Sequence, residues 1–528
     1  MGISEYRCLE EKYCKLAAMS RRILVPFLTI VALTGAVAGS LFLSSSPTSW
    51  DDGLRHITMA RVMRTEGIDQ TWSRFFYGGY LADHSVDPWF LADVFYIPFT
   101  FFSDPVGLRV YSIVGFFALL LAVWRLIAPL RLPLSWQCAL LMLMAVPPEF
   151  ILRTLLGRPF IWCTVFALLT ADAVLRKRPI VAGVILCVAT LYSHLFFFPL
   201  FFAGIGVVWN LLEGRRRSAC ILGLSVCIGT AVGLALHPHA GEYIYYLFHI
   251  FLQIPFAPPS LSTPRELTPT NSSNIPLAIL AVSGLCFAGA MKAKSIQMRD
   301  VRNLGTPFIF ALIVPLLGAY LIWARSIDFL WPLLIVLLAH VLVLSWTFSS
   351  DLFAVSMKPH FPRLRGGELV LYVIALASFL TILRAGLWLQ RTDSDRSMDH
   401  VAVLQTLPDG SRMLNPEWSL VPPLMATNPR LKFVTGFDNI FLRKANPEAF
   451  DLLEVYFSLA AQIPHPVIDI HAWMSQILEM YPSDYLVVSQ EWAVNLLLVL
   501  YTTDGLQALT ESGAMVAVFA IDAEKFRR

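Results

Sequence analysis

Charge is scarce in this sequence. Asp, Glu, Lys and Arg make up 15% of its 528 residues, and 56% of the chain is hydrophobic. Soluble domains carry about 25% charged residues, so a soluble globular or disordered chain is excluded. The 40 basic and 37 acidic residues leave a net charge of +3, which gives no footprint for nucleic acid. Cysteine is present but unarranged. Cys8 and Cys14 lie in the N-terminal tail, and Cys138, Cys163, Cys187, Cys220, Cys227 and Cys286 lie in apolar segments. None has paired ligand spacing, which argues against a zinc site or a disulfide framework. No glycine-rich nucleotide loop, long repeat or low-complexity tract occurs. The region after Gln390 has no cysteine at all and suits any compartment, an oxidising one included.

What the chain has is apolar runs. Ile23–Leu43 follows Arg21-Arg22 and is too long for the core of a signal peptide, so it reads as an uncleaved first transmembrane helix. Further spans are predicted at Val106–Ala128, Trp136–Ile151, Pro159–Leu175, Ile180–His194, Leu195–Leu212, Ala219–Leu236, Ile275–Met291, Pro307–Ala324, Phe329–Trp346 and Glu368–Leu389. Trp89–Phe102 is apolar but short and broken by Pro98; it reads as an interfacial or re-entrant helix.

The basic residues test this count. With Arg21-Arg22 cytoplasmic, alternate loops carry Arg125 and Arg131, then Arg176-Lys177-Arg178, Arg215-Arg216-Arg217, Lys292 to Arg302, and Lys358 to Arg365. That is the positive-inside pattern. Eleven spans place the N-terminus in the cytoplasm and the C-terminus outside, at an inner (plasma) membrane. The expected division is a cytoplasmic tail 1–22, a transmembrane domain 23–389 with a large first outer loop 44–105, and an extracytoplasmic α/β domain 390–528. In that last part, strand and helix patterns alternate: Arg412–Leu414, Leu431–Thr435, a helix Pro447–Ala461, another near Val467–Met480, Tyr485–Ser489, and a hairpin Leu506–Ile521 turning at Ser512-Gly513. The fold class predicted is a polytopic α-helical membrane protein with a small C-terminal extracytoplasmic α/β domain.

The stretch that organises the rest runs from Ser49 to Pro88. It opens Ser-Trp-Asp-Asp-Gly-Leu-Arg-His and closes Asp83-His84-Ser-Val-Asp87-Pro88. Carboxylates at a membrane edge are costly and point to function. The alternative is an N-cap for an amphipathic helix running to about Arg64, but a cap needs a single Asp and leaves Asp83, His84 and Asp87 unexplained. The same outer side carries Glu149, Arg153, Arg158, His194, His237, His239, Glu242, Arg325 and Asp328. Residues Glu242–Phe256 read as an outer interfacial helix beside a Pro-rich loop.

Clustered carboxylates at such a boundary suit two roles. One acts as general base on an acceptor hydroxyl or amine; Asp51 and Asp52 are the candidates. Others hold a divalent cation, Mg²⁺ or Mn²⁺, with Asp52, Asp83, His84 and Asp87 as the ligand set. Arg153, Arg158 and Arg325, with His194, His237 and His239, suit a lipid-linked phosphate, because a guanidinium matches its oxygens in a fork. The plainer readings are snorkelling arginines, a helix-capping His pair, a local Arg325–Asp328 ion pair and a satisfied core His194.

A first transmembrane helix followed by an outer loop opening on acidic residues resembles the GT-C class of polytopic glycosyltransferases. That class includes protein O-mannosyltransferases, oligosaccharyltransferase catalytic subunits and the aminoarabinose transferase for lipid A. The resemblance implies that Asp51 or Asp52 is the catalytic base or a metal ligand. It also implies an inverting reaction and a polyprenyl-phosphate or polyprenyl-diphosphate sugar as donor, with no nucleotide cofactor. The acceptor is a glycan, lipid or protein. Gly157-Arg158-Pro159-Phe160, Arg325-Ser-Ile-Asp328-Phe-Leu-Trp-Pro332 and Val434-Thr-Gly-Phe437-Asp438 with Phe441-Leu442 are similar to stretches of uncharacterised bacterial membrane proteins of this type. The sequence departs from the class at its second outer acid, which is left open among Asp83, Asp87 and Glu149. The competing readings are a lipid-linked sugar flippase and a non-catalytic cell-envelope assembly subunit. No matched pair of broken helices in two halves supports the flippase.

Overall fold

The computed structural model describes residues 3–43, 52–249, 305–322, 326–353, 366–394, 399–434, 436, 440–453, 469–511 and 516–526. The expected span Ile275–Met291, the Pro-rich loop before it, Asp51, Arg325 and the Ser512-Gly513 turn lie outside the described residues.

The long apolar runs are helices, as their composition requires in a medium without water to satisfy the backbone. They are α1 (Ile3–Leu43), α5 (Asp104–Ile127), α8 (Phe160–Leu175), α9 (Pro179–Tyr192), α10 (Phe197–Leu212), α11 (Arg216–Leu236), α13 (Thr306–Ile322), α14 (Ile327–Phe353) and α15 (Gly366–Ser394). Helix α5 starts with Asp104 and Pro105 and ends with Arg125, which places an acid and a base at the dipole ends that favour them. Four described segments are long and apolar enough to cross a membrane: Arg22–Leu43, Asp104–Leu130, His194–Leu212 and Arg216–Leu236. The other apolar stretches, Phe160–Leu175, Pro179–Tyr192, Thr306–Tyr320, Ile327–Val343 and Tyr372–Leu387 among them, are shorter, so the number eleven rests on the charge pattern.

One expected span is different. Trp136–Ile151 is not a single helix but a pair, α6 (Leu134–Leu143) and α7 (Pro148–Leu155), bent by 73°. Pro147-Pro148 removes two backbone donors and cannot continue the preceding helix. The bend matters because α7 carries Glu149 and Arg153.

The segment between α1 and α5 holds α2 (Asp52–Glu66), the short α3 (Tyr80–Asp83) and α4 (Phe90–Tyr96); α12 (Ala240–His249) follows α11. Helix α2 is polar in composition, yet Gly53 and every residue from Arg55 to Ala60 are buried. Gly53 is required there. A Cβ would stand 2.9 and 3.1 Å from the carbonyl oxygens of Leu156 and Gly157 and 3.1 Å from Leu108 Cδ2. The start of α2 is thereby seated on the turn after α7.

Past α15, the chain forms α16 (Asp399–Thr406), β1 (Arg412–Leu414), α17 (Val421–Thr427), β2 (Lys432–Phe433), α18 (Ile440–Ala445), α19 (Ile470–Met480), β3 (Tyr485–Ser489), α20 (Gln490–Thr502), β4 (Leu506–Ala508), β5 (Val516–Ile521) and α21 (Ala523–Phe526). The sheet order is β2-β1-β3-β5-β4. Strands β1, β2 and β3 are parallel, and β5 runs antiparallel to both β3 and β4. The α/β expectation and the terminal hairpin pairing are both observed. The crossover helix α17 packs on α2, so the sheet domain rests on the segment that follows α1.

Candidate functional site

Asp52 opens α2, its side chain 18% exposed, with Oδ1 3.4 Å from Arg55 Nη2. One turn further on, His56 Nδ1 lies 2.6 Å from Asp93 Oδ1, and both side chains are sealed from solvent. The imidazole is walled by Trp72, Trp89 and Tyr96, at 6.0, 5.6 and 5.7 Å between ring centroids. Burial, reinforced by the Arg55 charge, holds His56 well below its ordinary value. Arg55 lies over the same two indoles, 5.6 Å from the Trp72 centroid and 5.4 Å from that of Trp89. Its Nη1 donates to the Gly436 carbonyl at 3.2 Å.

Asp87 sits directly behind. Its Oδ1 accepts from Trp72 Nε1 and from the Trp89 backbone N–H, both at 2.9 Å. Burial outweighs these bonds and pushes the carboxyl up to about 6. The segment 87–89 is also where the outer histidines meet. His237 Nε2 donates to the Asp87 carbonyl at 3.0 Å, while its Nδ1 accepts the His239 backbone N–H at 3.2 Å. Those two bonds fix the neutral tautomer, and burial takes His237 down to about 4. The His194 backbone N–H donates to the Pro88 carbonyl at 3.0 Å, and its ring stands edge-on to Trp89 at 4.7 Å. His239 Nε2 reaches the Asp69 carbonyl at 3.2 Å.

The structure thus gathers Asp52, Asp87, His194, His237 and His239 around one aromatic-walled region. It places other expected residues elsewhere. Asp83 is exposed. His84 pairs with Glu242, Nδ1 to Oε2 at 2.9 Å, and stacks on Tyr80 and Tyr245 at 4.1 and 5.2 Å. Arg153 holds Asp328 in a fork, with Nε 2.9 and 3.0 Å from the two carboxylate oxygens and Nη2 2.8 Å from Oδ2. Asp328 is therefore held by Arg153; the expected Arg325–Asp328 pair lies outside the described residues. Arg158 is half-buried in the turn after α7.

The expected metal ligands do not converge. Among the described residues no three His, Cys, Asp or Glu side chains are placed so that they could hold a metal ion; Asp87 accepts two N–H bonds, and His84 is on Glu242. As placed, Asp52, Asp83, His84 and Asp87 do not form a cation site.

Asp93, Arg55 and Gly436 are the participants that sequence reading passed over. Asp93 carried a signal: it is a lone carboxylate in the apolar run Trp89–Phe102, and such an acid marks a site. Gly436 stood in the Val434–Asp438 stretch noted for its resemblance, but nothing there pointed to its partners, which lie some 360 to 380 residues away.

No protein-family model matches the chain, and no curated protein matches it by sequence. Solved structures do. The crystal structure of ArnT from Cupriavidus metallidurans bound to undecaprenyl phosphate superposes with a TM-score of 0.58 over 93% of this chain and 97% of that one, at 14% identity. A variant of the arabinofuranosyltransferase AftD from Mycobacteria gives a TM-score of 0.51 at 13% identity over 93% of this chain. This chain spans 41% of AftD. In fold, the chain resembles the GT-C class of polytopic membrane glycosyltransferases.

Proposed function

We propose that the protein is a membrane glycosyltransferase. It moves a sugar from a polyprenyl-phosphate or polyprenyl-diphosphate donor to an acceptor at the extracytoplasmic face of the inner membrane, with the eleven-span topology read from the charge pattern. The observation that carries this reading is the placement of Asp52. It opens a helix that is polar in sequence and buried in the fold, beneath a docked outer domain, in an architecture shared with a structure bound to undecaprenyl phosphate.

The chemistry follows from the groups in place. Asp51 or Asp52 takes the proton of the acceptor hydroxyl as its oxygen attacks the anomeric carbon. The bond from that carbon to the phosphate oxygen breaks, and the polyprenyl phosphate leaves with the electron pair. Attack opposite the leaving group inverts the anomeric centre. The Arg55 guanidinium, 3.4 Å from the Asp52 carboxylate, holds that carboxylate beside it at the start of α2. Arg158 and Arg325 are the proposed phosphate cations, since the Arg153 fork is occupied by Asp328.

The test is turnover of a panel of polyprenyl-phosphate sugars by purified protein, with and without EDTA, for wild type, Asp51→Asn and Asp52→Asn. Removing a general base costs about 10²–10⁴-fold, so one variant should lose polyprenyl phosphate release by at least about 100-fold. Equal turnover by wild type and both variants would leave the acids as a helix cap. The EDTA arm decides whether a cation is required.

A further inference from the structure

We propose that the outer α/β domain is part of the catalytic unit: its Gly436 segment, acting through Arg55, is the positioning element for Asp52. The inference rests on the glycosyl-transfer reading above and adds to it a domain that the chemistry itself does not call for.

The first outer loop and the sheet domain are joined by backbone, not only by side chains. The Phe433 N–H of β2 donates to the Phe75 carbonyl at 2.8 Å, and the Tyr77 N–H donates to the Phe433 carbonyl at 3.0 Å. Phe76 bridges Phe433 in the parallel sense. Residues 75–77 therefore extend the sheet past its β2 edge, an edge that would otherwise present unpaired groups. Tyr77 pins the join, its hydroxyl 2.6 Å from Ser483 Oγ and its ring 5.6 Å beneath the Arg412 guanidinium.

From this join the contacts close into a ring around Arg55. The Phe76 ring lies against Gly436 so tightly that a Cβ there would overlap it. The Phe76 ring is also nearly parallel to Trp72, with 6.3 Å between centroids. Trp72 lies under the Arg55 guanidinium, and Arg55 returns to the Gly436 carbonyl on one side and Asp52 on the other. Glycine at 436 lets the backbone come close enough for its carbonyl to reach the guanidinium. A guanidinium fixed by one carbonyl and two indole faces has little freedom, so the carboxylate beside it is fixed too. Displacement of a reacting group by about 1 Å costs on the order of 100-fold in rate.

The experiment compares the full-length wild type with Gly436→Ala and with Gly436→Ala/Phe76→Leu, in which the shortened side chain makes room for the added methyl. Amide hydrogen exchange reads the coupling without any donor. In Gly436→Ala, exchange should rise in the first turn of α2 while β3 and β5 keep wild-type protection, and the double variant should restore it. Donor kinetics read the positioning. In Gly436→Ala, kcat should fall by about tenfold or more with donor KM nearly unchanged, because misaligning a base impairs the transition state and not donor binding. The double variant should recover most of the loss. Unchanged exchange in α2 overturns the coupling, whatever the donor assay shows. Raised exchange with wild-type kcat overturns the positioning role. If wild type turns over no donor, the glycosyl-transfer reading fails and takes the catalytic role of Gly436 with it, while the exchange arm still decides the coupling.

Discussion

Arg153 is the residue whose role the fold changes most, and Arg153→Leu tests that change. The guanidinium makes three contacts of 2.8–3.0 Å to Asp328, with only 14% and 9% of the two side chains exposed. Removing one partner of a buried pair strands the other, at about 3–5 kcal/mol. Asp328 lies in the first turn of α14, where the helix dipole partly supports a carboxylate, so the low end, about 3 kcal/mol, is expected. Replacing both partners with leucine removes the stranded charge and should bring stability back to within about 1 kcal/mol of wild type. The assay is denaturant unfolding of the detergent-solubilised protein for wild type, Arg153→Leu, Asp328→Leu and the double variant. A coupling energy of about 2 kcal/mol or more supports the ion pair. Wild-type stability in Arg153→Leu, together with a tenfold or greater loss of polyprenyl phosphate affinity, would refute it and make Arg153 a phosphate ligand.

Two further outcomes follow from the same geometry. The Asp87 carboxyl is raised from 3.8 to about 6 by burial; its contribution to stability is complete below the lower value and is lost as pH rises through the higher one, about 3 kcal/mol in all at roughly 1.4 kcal/mol per unit. Asp87→Asn cannot ionise and should remove that slope, measured by unfolding between about pH 4 and pH 7; an unchanged slope would place the titration elsewhere. Gly53→Ala drives a Cβ against two carbonyl oxygens and Leu108 and should cost about 1–3 kcal/mol while lowering donor turnover; wild-type melting and turnover would show that α2 is not seated as described.

The sequence alone determined the parts of this protein that depend on local pattern. Apolar runs specify helices because the backbone has no other partner in a bilayer, and α5, α8, α9, α10 and α11 stand within a few residues of the predicted bounds. β1 and β3 match theirs because short alternating runs bounded by turn residues define strands. The fold class was legible for the same reason: hydropathy and charge are read one residue at a time. Partners were not legible. The Arg153–Asp328 fork, the Phe76–Phe433 bridge and the Arg55–Gly436 bond join positions 175, 357 and 381 apart in sequence, and no periodicity encodes such pairs. Nor did composition show that Pro147-Pro148 would fold a span into a bent pair, because whether a proline kinks or ends a helix depends on what packs against it. Charge and hydropathy predict the acids, arginines and histidines on one face. The tertiary structure decided which of them stand by Asp52 and which are held in ion pairs of their own, because burial and distance set that outcome and neither exists until the chain has packed.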